Sequence, residues 1–429
     1  MRPSGYWSSP WPAEDGGPAR LQTPDRNIPV IGAGPRFAGD VAVTSREAVA
    51  TTMLVLREPG EVFVLRHTAG PDAVSWVERI DPLTLETLGR SPDLAGGPTW
   101  PGGLAAHANG SLYVVFGNHA HRLDAELHVM ASQRLPRHKP YNSFVVLPDG
   151  HLVTKDFGGV LPGHDPDAHE YTPTELLVLE PERLEVAARL ALPEASIARL
   201  SADGNNVYVV GTEHLYRAEW NGRTLSIDDD FAVRYRTSDG QTYGWDCVIA
   251  LGAVWFLDNG FGSERYAGTF RGQGVNPAPL HLVRVDLATR AASLTEICGR
   301  PGGVVANPPL VDEQRRIVVG FDSGNGVLAA FDIVDDGTLT PRWTREQNHA
   351  CHMLLFADTG ELVTTDHDAT RMVDEIVVLD IESGDERLRV ASGSPIQSVV
   401  FPSPGWNRDV YYASFAAIAR LTAATTSLT

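Results

Sequence analysis

Imidazole and carboxyl side chains stand at the edges of short apolar runs in this sequence, where they are placed for proton transfer. Asp246 and His352 each open an apolar run, His367 lies between two aspartates, and Asp156 follows a lysine. Histidine and acidic residues are the usual proton donors and acceptors of enzymes. We therefore predict Asp246, His352, His367 and Asp156 as candidate catalytic residues, with capping of a neighbouring backbone as the alternative for Asp246.

Nitrogen and oxygen donors also recur at spacings that allow a divalent ion as cofactor. The candidate ligands are His119, His349, His352, His367 and Asp258. The sequence contains no dense ligand motif, so for each single histidine the alternative is a hydrogen-bonded structural role. No phosphate loop or dinucleotide fingerprint is visible either, and we expect no NAD or flavin.

Aromatic and amide side chains near the same run edges are candidates for holding a substrate. They are Tyr141, Asn142, Phe157, Trp245, Asn307, Phe321, Asp322 and Gln397. Binding sites typically combine apolar walls with a few convergent polar groups. For Asp258 and Asp322 the alternative is an Asx turn, because glycine follows closely in both segments.

The elements that position these residues are repeated β-hairpins. Eight pairs of β-rich runs flank turns centred at Gly60, Gly110, Gly150, Gly204, Gly252, Glu313, Gly360 and Gly405. Seven intervals in 345 residues give a mean repeat near 49 residues, and propeller repeats run about 40 to 50 residues. We predict an all-β chain forming a single β-propeller of eight blades. Seven blades is the alternative, if the hairpin at 53–66 is shared with the C-terminal unit.

The ends of the chain are predicted to close the ring. The last unit has only three strands, and Asp40–Thr44 has no unit of its own, so we expect this segment to complete the last blade. Closure removes exposed sheet edges. The Pro- and Gly-rich residues 1–36 are predicted as an extended arm before a propeller of residues 37–429, and Gly158–Pro173 and Gly260–Pro279 as long insertions.

A four-stranded meander brings the chemistry-bearing residues to one side of such a ring. The start of the first strand and the end of the second lie on the same face, and the hairpin between them lies on the other. The hairpins show ordinary turn chemistry, whereas the candidate residues precede first strands or follow second strands. We therefore expect the site at one mouth of the central channel.

The turn phrase from Val145 to Gly150, repeated in related form along the chain, resembles those of the YVTN and quinoprotein-like propeller superfamilies. The resemblance covers most of the chain and implies an architecture. Quinone-binding members carry a vicinal cysteine pair and Trp-rich docking repeats. Neither occurs here, so we expect no quinone, and fold alone argues little about function.

Composition excludes several classes of partner. The formal net charge is -19, from 54 acidic and 35 basic residues, so we expect binding neither to nucleic acid nor to anionic membranes. The three cysteines are far apart and form no CxxC motif, and the N-terminal residues contain no apolar signal region, so we expect a cytoplasmic protein. The oligomeric state stays open.

These observations favour a small-molecule enzyme of the lyase, isomerase or hydrolase type. Its Asp and His side chains would move protons, with or without a divalent metal ion. One alternative is a non-catalytic propeller that binds a protein or ligand on its top face. Another is a cyclase that protonates an apolar substrate and stabilises the cation with aromatic rings. A quinone-dependent dehydrogenase ranks last.

Overall fold

The described residues form eight antiparallel sheets arranged as the blades of a β-propeller. The computed structural model describes residues 5–24, 37, 41–161, 164–166, 169–407 and 409–423. The first blade contains β2 (Thr51–Leu56), β3 (Val62–His67), β4 (Ala73–Ile80), β5 (Thr87–Arg90) and β6 (Leu94–Gly97). The second contains β7 (Gly103–Ala106), β8 (Leu112–Phe116), β9 (His119–Leu123) and β10 (Val129–Arg134), and the third contains β11 (Tyr141–Val146), β12 (Leu152–Asp156), β13 (Glu175–Leu179) and β14 (Val186–Ala191). The fourth contains β15 (Ser201–Asp203), β16 (Asn206–Val210), β17 (His214–Trp220) and β18 (Leu225–Arg234). The fifth blade contains β19 (Val248–Ala250), β20 (Ala253–Leu257), β21 (His281–Asp286) and β22 (Ala292–Glu296). The sixth contains β23 (Leu310–Asp312), β24 (Ile317–Asp322), β25 (Val327–Ile333) and β26 (Leu339–Glu346). The seventh contains β27 (Leu354–Phe356), β28 (Glu361–Asp368), β29 (Val373–Asp380) and β30 (Glu386–Ala391).

The eighth blade joins the two ends of the chain. It contains β31 (Ser403–Pro404), β32 (Val410–Ala413), β33 (Ala417–Ala423) and, as its outermost strand, β1 (Val41–Glu47). β1 runs antiparallel to β33 from the Val41–Ala423 pair to the Glu47–Ala417 pair. The first blade contacts both neighbours, since β2 touches β7 on one side and β32 on the other. The prediction of an eight-bladed propeller is therefore confirmed.

Burial follows the distance of a strand from the channel. All residues of β2 and β8 are buried, because both faces of these inner strands pack against neighbouring blades. The outermost strand β14 alternates between half-buried and exposed residues. Inner strands therefore read as continuous apolar runs and outer strands as alternating ones. Within the described ranges, no helix is long and apolar enough to cross a bilayer.

Residues 5–24, here called the N-terminal plug, occupy the hairpin end of the channel. Innermost strands of five blades donate backbone hydrogen bonds to plug carbonyl oxygens: Leu56 to Trp11, Ala106 to Pro12, Ala202 to Pro18, Ile249 to Ala19, and Leu355 to Gln22, at 2.7 to 3.0 Å. These N–H groups would otherwise face the channel unpaired. The predicted boundary between arm and propeller at residues 36 and 37 falls beside residues outside the described part of the chain.

Candidate functional site

The mouth opposite the plug holds a cavity of about 410 Å³. Its lining is mainly apolar and includes six aromatic residues: Trp100, Trp245, Tyr266, Phe270, Phe401 and Phe415. The charged and imidazole side chains that line it are Arg199, Glu264, His67 and His352. A volume of this size suits a small organic molecule.

Equivalent positions in several blades place side chains at or beneath the base of this cavity. Arg199, Asp246 and His352 each lie two residues before the innermost strand of their blade, namely β15, β19 and β27. The same position in the eighth blade is Phe401, two residues before β31. All four side chains are buried. Radial repetition thus brings residues about 50 and 100 positions apart to one rim.

The plug adds two acids and a base from the other side of the channel. The Arg20 guanidinium contacts Glu14 and Asp15, with 2.7 Å between Nη1 and Asp15 Oδ2. Arg199 Nη1 donates to Glu14 Oε2 at 2.6 Å and to the Gly102 carbonyl at 3.2 Å. Asp15 and Arg20 have φ near +55°, a conformation that is uncommon for residues other than glycine and that clusters at functional sites.

Asp15 and His352 form a closely spaced pair at the base of the cavity. His352 Nδ1 lies 2.9 Å from Asp15 Oδ1, and both side chains are 1% exposed. Burial raises the pKa of Asp15 well above its ordinary value, and the Asp246 charge adds to this effect. Burial also lowers the pKa of His352 well below its ordinary value. Both atoms are buried, and neither makes a hydrogen bond within the described part of the chain.

Asp246, predicted as a catalytic residue, positions Arg199 instead of lining the cavity. Its Oδ1 accepts the backbone N–H of Arg199 at 2.6 Å, and its Oδ2 lies 3.8 Å from Arg199 Nε. The Arg199 guanidinium lies over the Phe401 ring at 4.9 Å, and the His352 ring packs 3.9 Å from the same ring. Asp246 therefore holds a charged side chain that does reach the cavity.

A long insertion crosses the mouth and covers the cavity. Residues 260–279, here called the lid, leave blade 5 after β20 and supply Tyr266 and Phe270 to the lining. Gln397 anchors the lid: its Oε1 accepts the Phe270 N–H at 2.8 Å, and its backbone N–H donates to the Gly268 carbonyl at 2.8 Å. Gln397, predicted as a substrate-binding residue, thus acts on the cavity through the lid.

The other residues predicted to bind substrate divide into two groups. Trp245 and Asn307 line the cavity, and Phe157 stacks on Trp100 with 4.1 Å between ring centroids. Tyr141, Asn142, Phe321 and Asp322 are buried and do not line it. Asn142, for example, donates to the Ile197 carbonyl at 3.0 Å.

Aspartates at the ends of second strands close loops. Asp156 Oδ1 accepts the N–H of Glu175 at 2.6 Å, and Asp258 Oδ1 accepts the N–H of His281 at 2.6 Å. Each bond ties the end of a second strand to the start of the third. Asp322 accepts the N–H of Asn325 at 3.0 Å, which is the Asx turn considered as its alternative role.

The histidines predicted as metal ligands lie in separate networks. His119 Nδ1 lies 2.7 Å from the Gly96 carbonyl oxygen, His349 Nδ1 accepts the Thr365 N–H at 3.1 Å, and His367 Nδ1 lies 3.8 Å from Asp374 Oδ1. In the ranges that the structure describes, no three His, Cys, Asp or Glu side chains are arranged to hold a metal ion. The five candidate ligands therefore do not form one shared site there.

Sequence reasoning missed Asp15, Arg199, Trp100 and Glu264. The spacing that identified Asp246 and His352 also applies to Arg199, but the innermost strand begins at Ser201 and not at Ile197 as the pattern indicated. An acidic pair within a Pro- and Gly-rich arm is a weaker signal. No local pattern relates Asp15 to the channel, because only the folded ring contains one.

Comparison with known proteins bears on the fold. A scan of family models found no match, and a search of curated proteins found none. Among solved structures, BamB from Moraxella catarrhalis superposes with a TM-score of 0.59 at 10% identity, covering 91% of this chain and 100% of that one. Quinohemoprotein alcohol dehydrogenase from Comamonas testosteroni superposes with a TM-score of 0.62 at 11% identity, covering 97% of this chain and 81% of that one. At these identities the likeness establishes architecture alone, and it confirms the resemblance to quinoprotein-like propellers at that level.

Proposed function

We propose that this protein is a small-molecule enzyme whose active site is the aromatic-lined cavity above the Asp15–His352 pair. The observation that carries the proposal is the 2.9 Å separation of His352 Nδ1 and Asp15 Oδ1 beneath a cavity that His352 itself lines. A scaffold that binds proteins on its top face would instead present outward polar groups around a broad apolar surface.

The pair is suited to donate a proton. Burial raises the pKa of Asp15 and lowers that of His352, so the proposed reactant state has a protonated Asp15 and a neutral imidazole with its hydrogen on Nε2, the nitrogen away from Asp15. Transfer of that hydrogen to a substrate is accompanied by transfer from Asp15 to Nδ1. Asp15 then carries the negative charge, which the Arg20 guanidinium at 2.7 Å stabilises. General acid catalysis of this kind contributes about 10² to 10⁴ in rate.

Aromatic walls favour acid-initiated isomerisation or cyclisation among the candidate reactions. The rings of Trp100, Trp245 and Phe401 line the space above His352, and aromatic faces stabilise developing positive charge. Hydrolysis and elimination stay as alternatives. In deuterated water these reactions differ by product mass, since cyclisation retains one solvent deuterium and hydrolysis adds the elements of water.

The test compares variants in a search for turnover. Purified protein is incubated in deuterated water with a small-molecule cell extract, and the mixture is followed by mass spectrometry. We expect a compound that the wild type consumes and that His352→Gln consumes about 100-fold more slowly, with Asp15→Asn also impaired. His128→Gln, at a side chain 75% exposed, is the matched control and should behave as wild type. Equal turnover by His352→Gln, or no compound consumed, would overturn the proposal.

A further inference from the structure

One carboxylate oxygen in the cavity lacks a hydrogen-bond partner among the described residues. Glu264 belongs to the short helical turn Ser263–Arg265 of the lid, lines the cavity, and has a side chain only 8% exposed. Its Oε2 accepts the N–H of Gly262 at 3.1 Å, but its buried Oε1 has no hydrogen-bond partner among the described residues. Leaving a buried carboxylate oxygen unpaired is costly.

Arg265 forms only a long, partly exposed ion pair with this carboxylate. Arg265 Nε lies 3.8 Å from Glu264 Oε1, and the Arg265 side chain is 48% exposed, so water screens its charge. On the cavity floor, the Arg199 guanidinium is already paired with Glu14 at 2.6 Å. A negative charge on the lid therefore faces a mainly apolar space.

The surroundings of Glu264 also favour positive charge. Burial raises the pKa of Tyr243 well above its ordinary value, and the neighbouring Tyr171 and then the Glu264 carboxylate raise it further. Trp100, Trp245 and Tyr266 line the same cavity. A carboxylate combined with aromatic faces is the arrangement that recognises ammonium groups.

We infer that the substrate is a cationic amine or quaternary ammonium compound with an apolar body, and that Glu264 is its counter-ion. This inference rests on the proposed function and names the substrate class of the same cavity. The ammonium group contacts Glu264 Oε1 under the lid, and the apolar part lies along Trp100 and Trp245 towards His352. A neutral molecule of the same shape leaves the carboxylate buried without a partner, so it binds more weakly.

The experiment uses two probes of equal shape, benzyltrimethylammonium and its uncharged carbon isostere neopentylbenzene. Binding to the full chain is followed by tryptophan fluorescence, since Trp100 and Trp245 line the cavity. We expect the wild type to prefer the cation by about tenfold or more, and Glu264→Gln to remove that preference while leaving affinity for neopentylbenzene unchanged. Glu346→Gln removes the same charge from a side chain 84% exposed, and this control should retain the preference.

Each outcome separates this inference from the proposed function. If both probes bind equally, or if Glu264→Gln weakens both by the same factor, the inference is wrong although the cavity still binds small molecules. If neither probe binds, both the inference and the cavity as an active site are wrong. His352→Gln should keep the preference for the cation, because His352 acts in proton transfer and not in recognition of the ammonium group. Thermal melting of each variant checks that it is folded.

Discussion

At the scale of single residues, the sequence contained acids and imidazoles in excess of what the site uses. His352 lines the cavity, whereas Asp156 and Asp258 close loops between strands of their own blades. The difference lies in the direction of the side chain. Two residues before an innermost strand the side chain faces the channel, and at the end of a second strand it accepts hydrogen bonds from the start of the third.

Asp374 gives a prediction at this scale. Its Oδ2 accepts hydrogen bonds from the Tyr412 hydroxyl and from the Ser398 N–H at 3.0 Å, and burial raises the pKa of Asp374 from 3.8 to about 7. A carboxyl group with a raised folded-state pKa binds its proton more tightly when folded. The free energy of unfolding therefore falls as the pH rises from about 4 to about 7.

We expect Asp374→Asn to remove this pH-dependent loss of stability. The amide oxygen keeps both hydrogen bonds and carries no charge. The free energy of unfolding of the variant, minus that of the wild type, should therefore rise by about 2 kcal/mol from pH 5 to pH 8. Denaturant unfolding at both pH values measures it. His367 Nδ1 lies 3.8 Å from Asp374 Oδ1, and burial lowers the pKa of His367. Asp335→Asn, at a fully exposed side chain, is the control. A gap that stays constant with pH would refute the assignment.

At the scale of elements, two segments outside the regular blades complete the site. The N-terminal plug brings Asp15 to the channel floor, and the lid brings Glu264 over the mouth. Both are irregular, and both are attached by buried glutamines: Gln22 donates to the Pro309 carbonyl at 2.7 Å, and Gln397 accepts from Phe270 at 2.8 Å. The blades thus act as a rigid frame and the loops carry the chemistry.

Gln397→Ala should loosen the lid without unfolding the blades. The substitution removes the acceptor of the Phe270 N–H and the donor to Asn348 Oδ1 at 2.9 Å. We expect amide hydrogen exchange in residues 262–276 to accelerate about tenfold, with exchange in the blade 4 strands unchanged. Gln347→Ala is the matched control, because Gln347 is equally buried but donates to Thr364 Oγ1 and the Thr365 carbonyl. Equal acceleration in both variants would show that Gln397 has no special role in the lid.

At the scale of the whole molecule, ring closure makes distant blades depend on one another. β33 lies between β32 and β1, so the last sheet contains strands from both ends of the chain. Leu421 of β33 is fully buried in a core cluster shared with the first and seventh blades. Opening this sheet therefore exposes the edges of the ring and not of one blade alone.

Leu421→Ala should lower the stability of the entire ring. Truncating a buried leucine costs about 2 to 5 kcal/mol, and we expect the loss to appear in the slowest-exchanging amides of β16 as much as in those of β32. Leu88→Ala, at a side chain 58% exposed in β5, should change neither. Loss of protection confined to the eighth blade would mean that the blades unfold independently.

The sequence by itself determined the architecture of this protein. Hairpins repeating near 49 residues specify eight blades, and the alternation of a meander specifies which strand ends share a face. These are local properties, since turn glycines and apolar runs act over a few residues. His352, Trp245 and Asn307 were found in this way.

Only the tertiary structure decided which residues share the cavity. Asp15 and His352 are separated by 337 positions, yet their side-chain atoms lie 2.9 Å apart. Their meeting depends on how the plug enters the channel, and that path follows from free N–H groups that exist only once the innermost strands surround a common axis. The position of Glu264 likewise depends on hydrogen bonds between the lid and a blade that lies far along the chain. Sequence periodicity carries no information about either contact.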